Sequence, residues 1–320
     1  MMCIHESDFA PLFTLDDWIA SCDEAFRLYG QGVMINPPRV ETVEKTDGRD
    51  LFRLRMSAEW VGRYRGEKVI QERSEVGTGR LGARSALITL EDLRTGARAE
   101  VEADLITNLR TGAAGALGAR YLARPGAEVA AVLGTGRIAK ALTLCTDRLF
   151  DLKEVRATSR KAGSRRAFAE EIGPRLRSPL RMMDSVSACV EDADIVLTAV
   201  PTATPILNAG DLKPEAHLSV MAGDSRTIQL DLGLLGARPV LVDEPDQAAE
   251  SGEFRAARET GHYETIRLVK EGPGRSMTIG DAANGHLERL RGAGAIAYFT
   301  GLAAQDLHAA AMVYERNRGR

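Results

Sequence analysis

The sequence has little cysteine, and what it has is unpatterned. Cys3, Cys22, Cys145 and Cys189 are scattered along 320 residues without a CxxC pair. That spacing argues against a disulfide framework and against a structural zinc site, and reduced thiols suit a cytoplasmic protein. The opening MMCIHESDFAPLF carries acids where a secretory signal would carry bases ahead of an apolar run. The histidines His5, His217, His262, His286 and His308 are equally dispersed. None falls in an HExxH arrangement, so no metal is expected. No apolar run approaches the ~18 residues that a membrane span needs. Lys and Arg total 42 against 45 Asp and Glu, a formal charge of -3. There is no global positive field to hold nucleic acid. Internal repeats and low-complexity segments are absent. What remains is the composition of an ordinary globular protein, 44% hydrophobic and 27% charged, long enough for two domains.

The first third mixes helix and strand signals. LDDWIASCDEAFRLYG (15–30) has helical spacing, with Trp18, Ala25, Phe26 and Tyr29 near one face and Gly30 as a stop. LFRLRM reads as a strand, and ARSALITLEDLRTGARAEVEA as two more joined by a turn around Leu93–Gly96. An antiparallel sheet backed by helices is expected. DLITNLRTGAAGALGARYLA then has the small residues of a tightly packed helix. From residue 128 the pattern changes to EVAAVLG, TGRIAKALTLCTDRL, KEVRATS, SRRAFAEEIG, ADIVLTAV, AHLSVMAG and PVLVDE. Strand–helix alternation with apolar, β-branched strands predicts a parallel sheet covered on both faces. A glycine-rich stretch around 285–301 precedes a last helix, LAAQDLHAAAMVYERN, too long to be a loose tail.

AAVLGTGRIAKAL places Gly134, Gly136 and Ala139 in a GxGxxA pattern between a strand and a helix. Gly134 permits the tight turn, Gly136 lets backbone approach a pyrophosphate, and Ala139 lets helix and strand pack closely. The helix N-terminus offers free N–H groups to the phosphates. The next strand ends in RATSRK, with no acid where a ribose 2′-OH would want one. Hydroxyls and arginine suit a 2′-phosphate, so Thr158, Ser159 and Arg160, with Lys161 and Arg165 near, favour NADP(H) over NAD(H). Arg166 reads as solvated.

Several segments together resemble the ornithine cyclodeaminase/mu-crystallin family. They are PPR (37–39), RMSA (55–58), GEKV (66–69), LITNLRTGAAGALGARYLA (105–123), VLGTGRIA (132–139), ADIVLTAVPTATPIL (193–207), AGDSR (222–226), VDEPDQAAESGE (242–253) and TGLAAQDLHAAA (300–311). The resemblance implies an α/β protein: a doubly wound Rossmann sheet at 117–301 inserted in a split α+β substrate and dimerisation domain at 1–116 plus 302–320. It implies a homodimer and a nicotinamide cofactor acting on small amino or imino acids, with no nucleic acid and no membrane. Arg39, Lys68 and Arg110 match the family's basic pocket positions; charge-assisted donors suit an α-carboxylate. Lys68 is also the candidate proton donor to an imine, if burial or neighbouring arginines lower its pKa. Asp224, in AGDSR, matches the aspartate that activates amine or water in cyclodeaminases. Thr111 matches a cofactor-phosphate contact. By the same resemblance the cofactor set takes in Thr135, Arg137, Ile138, Ala199, Val200 and Gly301 beside Gly134, Gly136, Ser159, Arg160 and Arg165.

The chain also departs from the family. After Asp224 it runs SRTIQLDL, with Arg226 and Thr227 in place of a proline-containing stretch. Ahead of TGLAAQDL stand Ala297, Tyr298 and Phe299 in place of an FDS-like triplet. Both loops are expected to border the substrate. In EWVGRYRGEK, Arg63 and Arg65 suggest a second acidic group on it. Three functions stay open: an NADPH-dependent imine or ketimine reductase or amino-acid dehydrogenase; a cyclodeaminase with bound NAD⁺; and a non-catalytic ligand-binding protein of the mu-crystallin kind.

Overall fold

The computed structural model describes the chain except residues 47–48, 76–80, 223–224, 226, 273 and 320. Asp224 and Arg226 therefore lie outside the described residues. The chain divides into two compact units, Met1–Arg110 with Leu302–Arg320, and Thr111–Gly301.

The first unit is built on a sheet of strands β1 (Met2–Ile4), β2 (Met34–Ile35), β3 (Val40–Thr46), β4 (Arg49–Trp60), β5 (Tyr64–Glu75), β6 (Leu81–Asp92) and β7 (Arg98–Glu102). The order is β1-β7-β6-β5-β4-β2, and β3 also pairs with β4. All pairs are antiparallel except β1 with β7. Alternation sends Met56, Ala58, Tyr64, Lys68, Ile70, Ile88 and Leu90 inward. That face packs on the C-terminal helix, Ala303–Asn317, which also touches the helix Leu15–Gly30. The latter starts at a capping box: the Asp17 backbone N–H donates to Thr14 Oγ1 and the Thr14 N–H to Asp17 Oδ2. Its stop comes slightly later than expected. Gly30 is still helical, and Gly32 takes the left-handed turn at φ +72°.

The second unit carries β8 (Val129–Leu133), β9 (Glu154–Thr158), β10 (Leu180–Met182), β11 (Ile195–Thr198), β12 (His217–Met221) and β13 (Val240–Val242). A small hairpin, β14 (Lys270–Glu271) and β15 (Arg275–Ser276), and then β16 (Ile296–Phe299) complete it. The main sheet runs β10-β9-β8-β11-β12-β16-β13 and is parallel throughout. Chain order reverses between β8 and β11, the switch point at whose carboxyl side open α/β sheets bind ligands. This is the expected α/β class with a doubly wound sheet.

β16 corrects one expectation. Ala297, Tyr298 and Phe299 do not form a loop at the substrate. They are buried in a strand between β12 and β13, with Ala297 and Tyr298 at 0% exposure. The Tyr298 hydroxyl is spent internally, 2.7 Å from Ser251 Oγ and 2.6 Å from Glu253 Oε2. Among the described residues no helix is long and apolar enough to cross a membrane.

Candidate active site

Lys68 stands mid-way along β5, between Met56 of β4 and Ile88 of β6. Its side chain is 0% exposed. An ammonium there needs a counter-charge, and the C-terminal helix provides it: Lys68 Nζ lies 2.5 Å from Asp306 Oδ2. The other Asp306 oxygen accepts from Arg110 Nε at 2.9 Å, and Arg110 Nη1 donates to Gln305 Oε1 at 3.3 Å. Arg110 comes from the helix Asp104–Leu122, on the face that also buries Ile106, Ala113 and Leu117. Behind it, Gln305 Nε2 donates to Cys22 Sγ at 3.4 Å, and the Cys22 thiol donates to the Arg110 carbonyl at 3.5 Å. Asn36 Oδ1 accepts from the Ala303 and Ala304 N–H groups at 2.7 and 3.3 Å, holding the start of the helix that carries Asp306. Burial, and next the positive charge of Arg110, push the Lys68 ammonium down to a pKa of about 7 despite the opposing pull of Asp306. Lys68 can therefore both hold and release a proton near neutral pH.

Arg39 comes just before β3, where Val40 faces Arg55. Val40 is exposed, whereas the Arg39 side chain is turned to the buried side of the sheet, the side on which Lys68 lies. Arg39 pairs with Glu41 at 3.0 Å, its side chain 8% exposed. Arg63 and Arg65 do not join this group. Arg63 lies in the exposed turn, 4.0 Å over the Trp60 ring. Arg65 is an odd number of residues from Lys68, points to the opposite face, and pairs with Glu59 at 3.2 Å. Arg63 and Arg65 therefore do not form a second acid-binding pair beside Lys68.

In the second unit the GTGRIA turn has the shape a pyrophosphate needs. Gly134 sits at φ +112°, where a side chain is strained, and a Cβ there would come within 3.0 Å of the Ala199 carbonyl. A Cβ on Gly136 would meet nothing within 4 Å, so backbone is open to a ligand. Gly136 caps the helix Arg137–Leu149 without a side-chain hydrogen bond, so the donors at the start of this helix are backbone N–H groups. The Gly134 N–H donates to the Thr158 carbonyl at 2.9 Å, which joins the turn to the end of β9. Just beyond, the Ser159 hydroxyl is buried with no hydrogen-bond partner among the described residues. Arg160 is exposed and forms no ion pair among the described residues. Arg165 is engaged, donating to the Ser159 carbonyl at 2.6 Å and to Asp184 at 2.8 Å, while Lys161 and Arg166 are exposed. Thr135 and Ile138 are half-buried in the turn and Arg137 is exposed. Ala199 and Val200 leave the end of β11; the Val200 N–H donates to Gln229 Oε1 at 2.9 Å. The Gly301 N–H, past β16, donates to Asp243 at 2.7 Å. Thr111 is drawn to the turn's helix because Gly112 lies against Ala141 so closely that a Cβ would come within 2.5 Å. Apart from Thr111, the candidate cofactor residues thus gather at the carboxyl side of β8, β9, β11 and β16.

Residues 2–320 match the ornithine cyclodeaminase/mu-crystallin family. The chain belongs to that family. It is 29% identical to the alanine dehydrogenase of Archaeoglobus fulgidus over 320 residues, covering 98% of this chain and 94% of that one. It is 24% identical to a Δ1-pyrroline-2-carboxylate reductase of Bacillus cereus over 78% of this chain and 75% of the relative. Among solved structures, an archaeal alanine dehydrogenase dimer with bound NAD superposes with a TM-score of 0.83 at 27% identity, over 100% of this chain and 96% of that one.

Within this member of the ornithine cyclodeaminase/mu-crystallin family, Lys68 and Arg110 are candidates, with Arg39, by resemblance; Asp306, Gln305 and Asn36 are not, and enter only with the folded geometry. Asp306 had a signal of its own. It stands on the apolar face of LAAQDLHAAAMV, where an unpartnered acid would be costly. Asp243 and Gln229, which brace the ends of β16 and β11, had none, because their partners are 57 and 31 residues away.

Proposed function

We propose that the chain is an NADP(H)-dependent oxidoreductase acting on the C–N bond of an imino or amino acid, as an imine or ketimine reductase or an amino-acid dehydrogenase. The observation that carries this is the buried group of Lys68, Arg110 and Asp306. Two cations share one carboxylate, so in the ionised state one positive charge is left for a substrate carboxylate. Arg110 keeps its Nη2 edge for that purpose, and Arg39 stands on the same sheet face. Lys68, with a pKa near 7, supplies a proton to the substrate nitrogen. Substrate binding is assigned to residues 1–116 with 302–320, and dinucleotide binding to 117–301. When bound, the nicotinamide supplies or takes up hydride. Gly134, Thr135, Gly136, Arg137 and Ile138, with Thr111, Ala199, Val200 and Gly301, would hold it. Ser159 and Arg160, with Arg165 as a brace, favour the 2′-phosphate of NADP(H) over NAD(H). Asp224 keeps its proposed part in proton handling by resemblance alone.

The protein is further assigned as a homodimer through the first unit. The relative solved with NAD is described as a dimer. The markedly exposed large apolar side chains among the described residues, Ile35, Val40, Val43 and Val61 included, all fall in this unit. All four thiols are free, which suits the cytoplasm.

The test is NADPH oxidation with pyruvate, glyoxylate or cyclic imino acids, with ammonia or methylamine where the substrate is an oxo acid. Lys68→Ala and Arg110→Ala are each expected to lose most of the turnover while still binding NADPH. Wild-type turnover in both would remove the proposed site. Ammonia released from ornithine or lysine with no net NADH would make the enzyme a cyclodeaminase instead.

A further inference from the structure

We infer that Asp306 is the positioning residue of this site: it keeps Lys68 protonated and in place, and holds Arg110 in register with it, so that the lysine can protonate the substrate nitrogen. The inference rests on the proposed activity for its chemical meaning, but its geometry stands alone.

Both Asp306 oxygens are already committed, Oδ2 to Lys68 at 2.5 Å and Oδ1 to Arg110 at 2.9 Å. The acid is 1% exposed. It therefore acts through the two cations rather than on the substrate. The cations, by contrast, have donors to spare. Lys68 uses one of three N–H bonds, and Arg110 uses Nε and Nη1, with no further partner among the described residues. Without an anion between them, two like charges from a strand and a helix would push apart. A salt bridge this deeply buried is a poor device for stability, since apolar residues of the same volume commonly serve as well. Three charges kept on an otherwise apolar face, beside Ala303, Leu307 and Ala310, instead suit a proton-handling role.

The charged groups that bear on Lys68 come from three elements: Asp306 from the C-terminal helix, Arg110 from the helix Asp104–Leu122, and Arg84 from β6. Its strand neighbours Met56 and Ile88 are apolar. Asp306 is thus the one anion among these groups, and the other two oppose the ammonium. The step asked of Lys68 is a proton transfer. Its N–H bond breaks, an N–H bond forms on the amine nitrogen, and the neutral lysine left beside Asp306 is recharged from water.

The test uses the full chain, labelled with ¹⁵N-lysine, to follow the Lys68 amine by NMR as pH changes, with Lys68→Arg assigning the signal. In Asp306→Asn the midpoint is expected to fall by about 1–3 pH units, the effect of removing an adjacent opposite charge. The alkaline limb of the kcat–pH profile should move by the same amount. Asp306→Glu, which keeps the charge, should hold both near their wild-type positions while lowering kcat. A midpoint and limb unmoved in folded Asp306→Asn would overturn the inference. Should that variant fail to fold, Asp306→Glu decides: a held midpoint with reduced kcat supports the role, and wild-type kcat overturns it. If the wild type reduces no imine, the activity reading fails, yet the NMR midpoint still judges Asp306.

Discussion

Gly66 offers a way to move the proposed active site without touching a charged group. It lies two residues before Lys68 on β5 and faces the same C-terminal helix. A Cβ at this position would sit 2.7 Å from the Thr89 carbonyl oxygen and 2.9 Å from Leu307 Cδ1, where ordinary contact begins at 3.4 Å. The Leu307 methyl can turn aside, at the expense of a packed core where it is 2% exposed. The Thr89 carbonyl cannot, because it belongs to the β5–β6 ladder. Gly66→Ala must therefore open the β5–β6 ladder by roughly 0.7 Å, the shortfall at Thr89, and push on Leu307 and its helix by roughly 0.5 Å. Overpacking of this kind costs about 1–3 kcal/mol. The activity should suffer more than the stability. Leu307 follows Asp306, so lifting the helix stretches the 2.5 Å contact with Lys68. Misplacement approaching 1 Å in a reacting arrangement can cost about 10²-fold. The assay is kcat/KM for imine reduction beside thermal unfolding and NADPH titration. The expected result is a loss of about 10- to 100-fold in kcat/KM, a modestly lowered Tm and an unchanged NADPH affinity. Adding Leu307→Ala should restore only part of the loss, because the Thr89 oxygen remains. Wild-type Tm and kcat/KM in Gly66→Ala would refute the claim that this glycine makes room for the helix.

Two further outcomes follow from groups away from Lys68. Arg160→Ala should weaken NADPH by about 10- to 100-fold, the worth of a charge-assisted hydrogen bond, and leave NADH nearly unchanged in a fluorescence titration. Equal loss for both cofactors would return SRKAGSRR to a solvated charge run. Asp194 reports on acid stability. Burial would raise its pKa, but Lys213, the Glu128 and Val129 N–H groups and Arg124 together hold it down to about 2 from 3.8. A carboxyl depressed on folding stabilises above its unfolded pKa and loses that contribution as pH falls from about 4 to 2. Asp194→Asn should therefore lower stability at pH 7 by about 1–3 kcal/mol and flatten the acid limb of a denaturation series. An acid limb as steep as the wild type's would contradict the assignment.

Most of the second unit was legible from residue 128 onward because its central parallel strands are short apolar runs set off by turns and helices; β10 was not, since LRM is three residues, none of them buried, with an arginine at its centre. β16 escaped for the same physical reason that makes it central. IAYF is four residues, buried on both faces, and shows no alternation. Flanked by Gly292, Gly294 and Gly301, it looks like an interruption in a loop. Its assignment depends on β12 and β13 closing on it, contacts that local pattern does not contain. In the first unit the polar content of EWVGRYRGEK obscured a sharper rule. Period two separates Arg65 from Lys68, so nearness in sequence becomes opposite faces of one sheet.

The site shows where residue-type reasoning reaches its limit. Lys68 alone reads as a surface base, the ordinary place for a lysine, and it became a candidate only through resemblance. What the residue does depends on being 0% exposed, and that depends on a helix more than 230 residues later in the chain. Yet the later helix carries its own clue. In LAAQDLHAAAMVYERN, positions 303, 307, 310 and 314 make one apolar stripe, and Asp306 stands against it. An acid there must find a cation from elsewhere, because leaving it unpaired in the core costs more than a helix of this size can offset. Among the described residues few cations are buried, and Lys68 and Arg110 are two of them. Taken as a pairing problem, an acid on an apolar stripe and a lysine on an inward strand position point at each other through their chemistry alone. On the proposed reading Asp306, with both oxygens committed to Lys68 and Arg110, is then the residue that sets what the two bases can do.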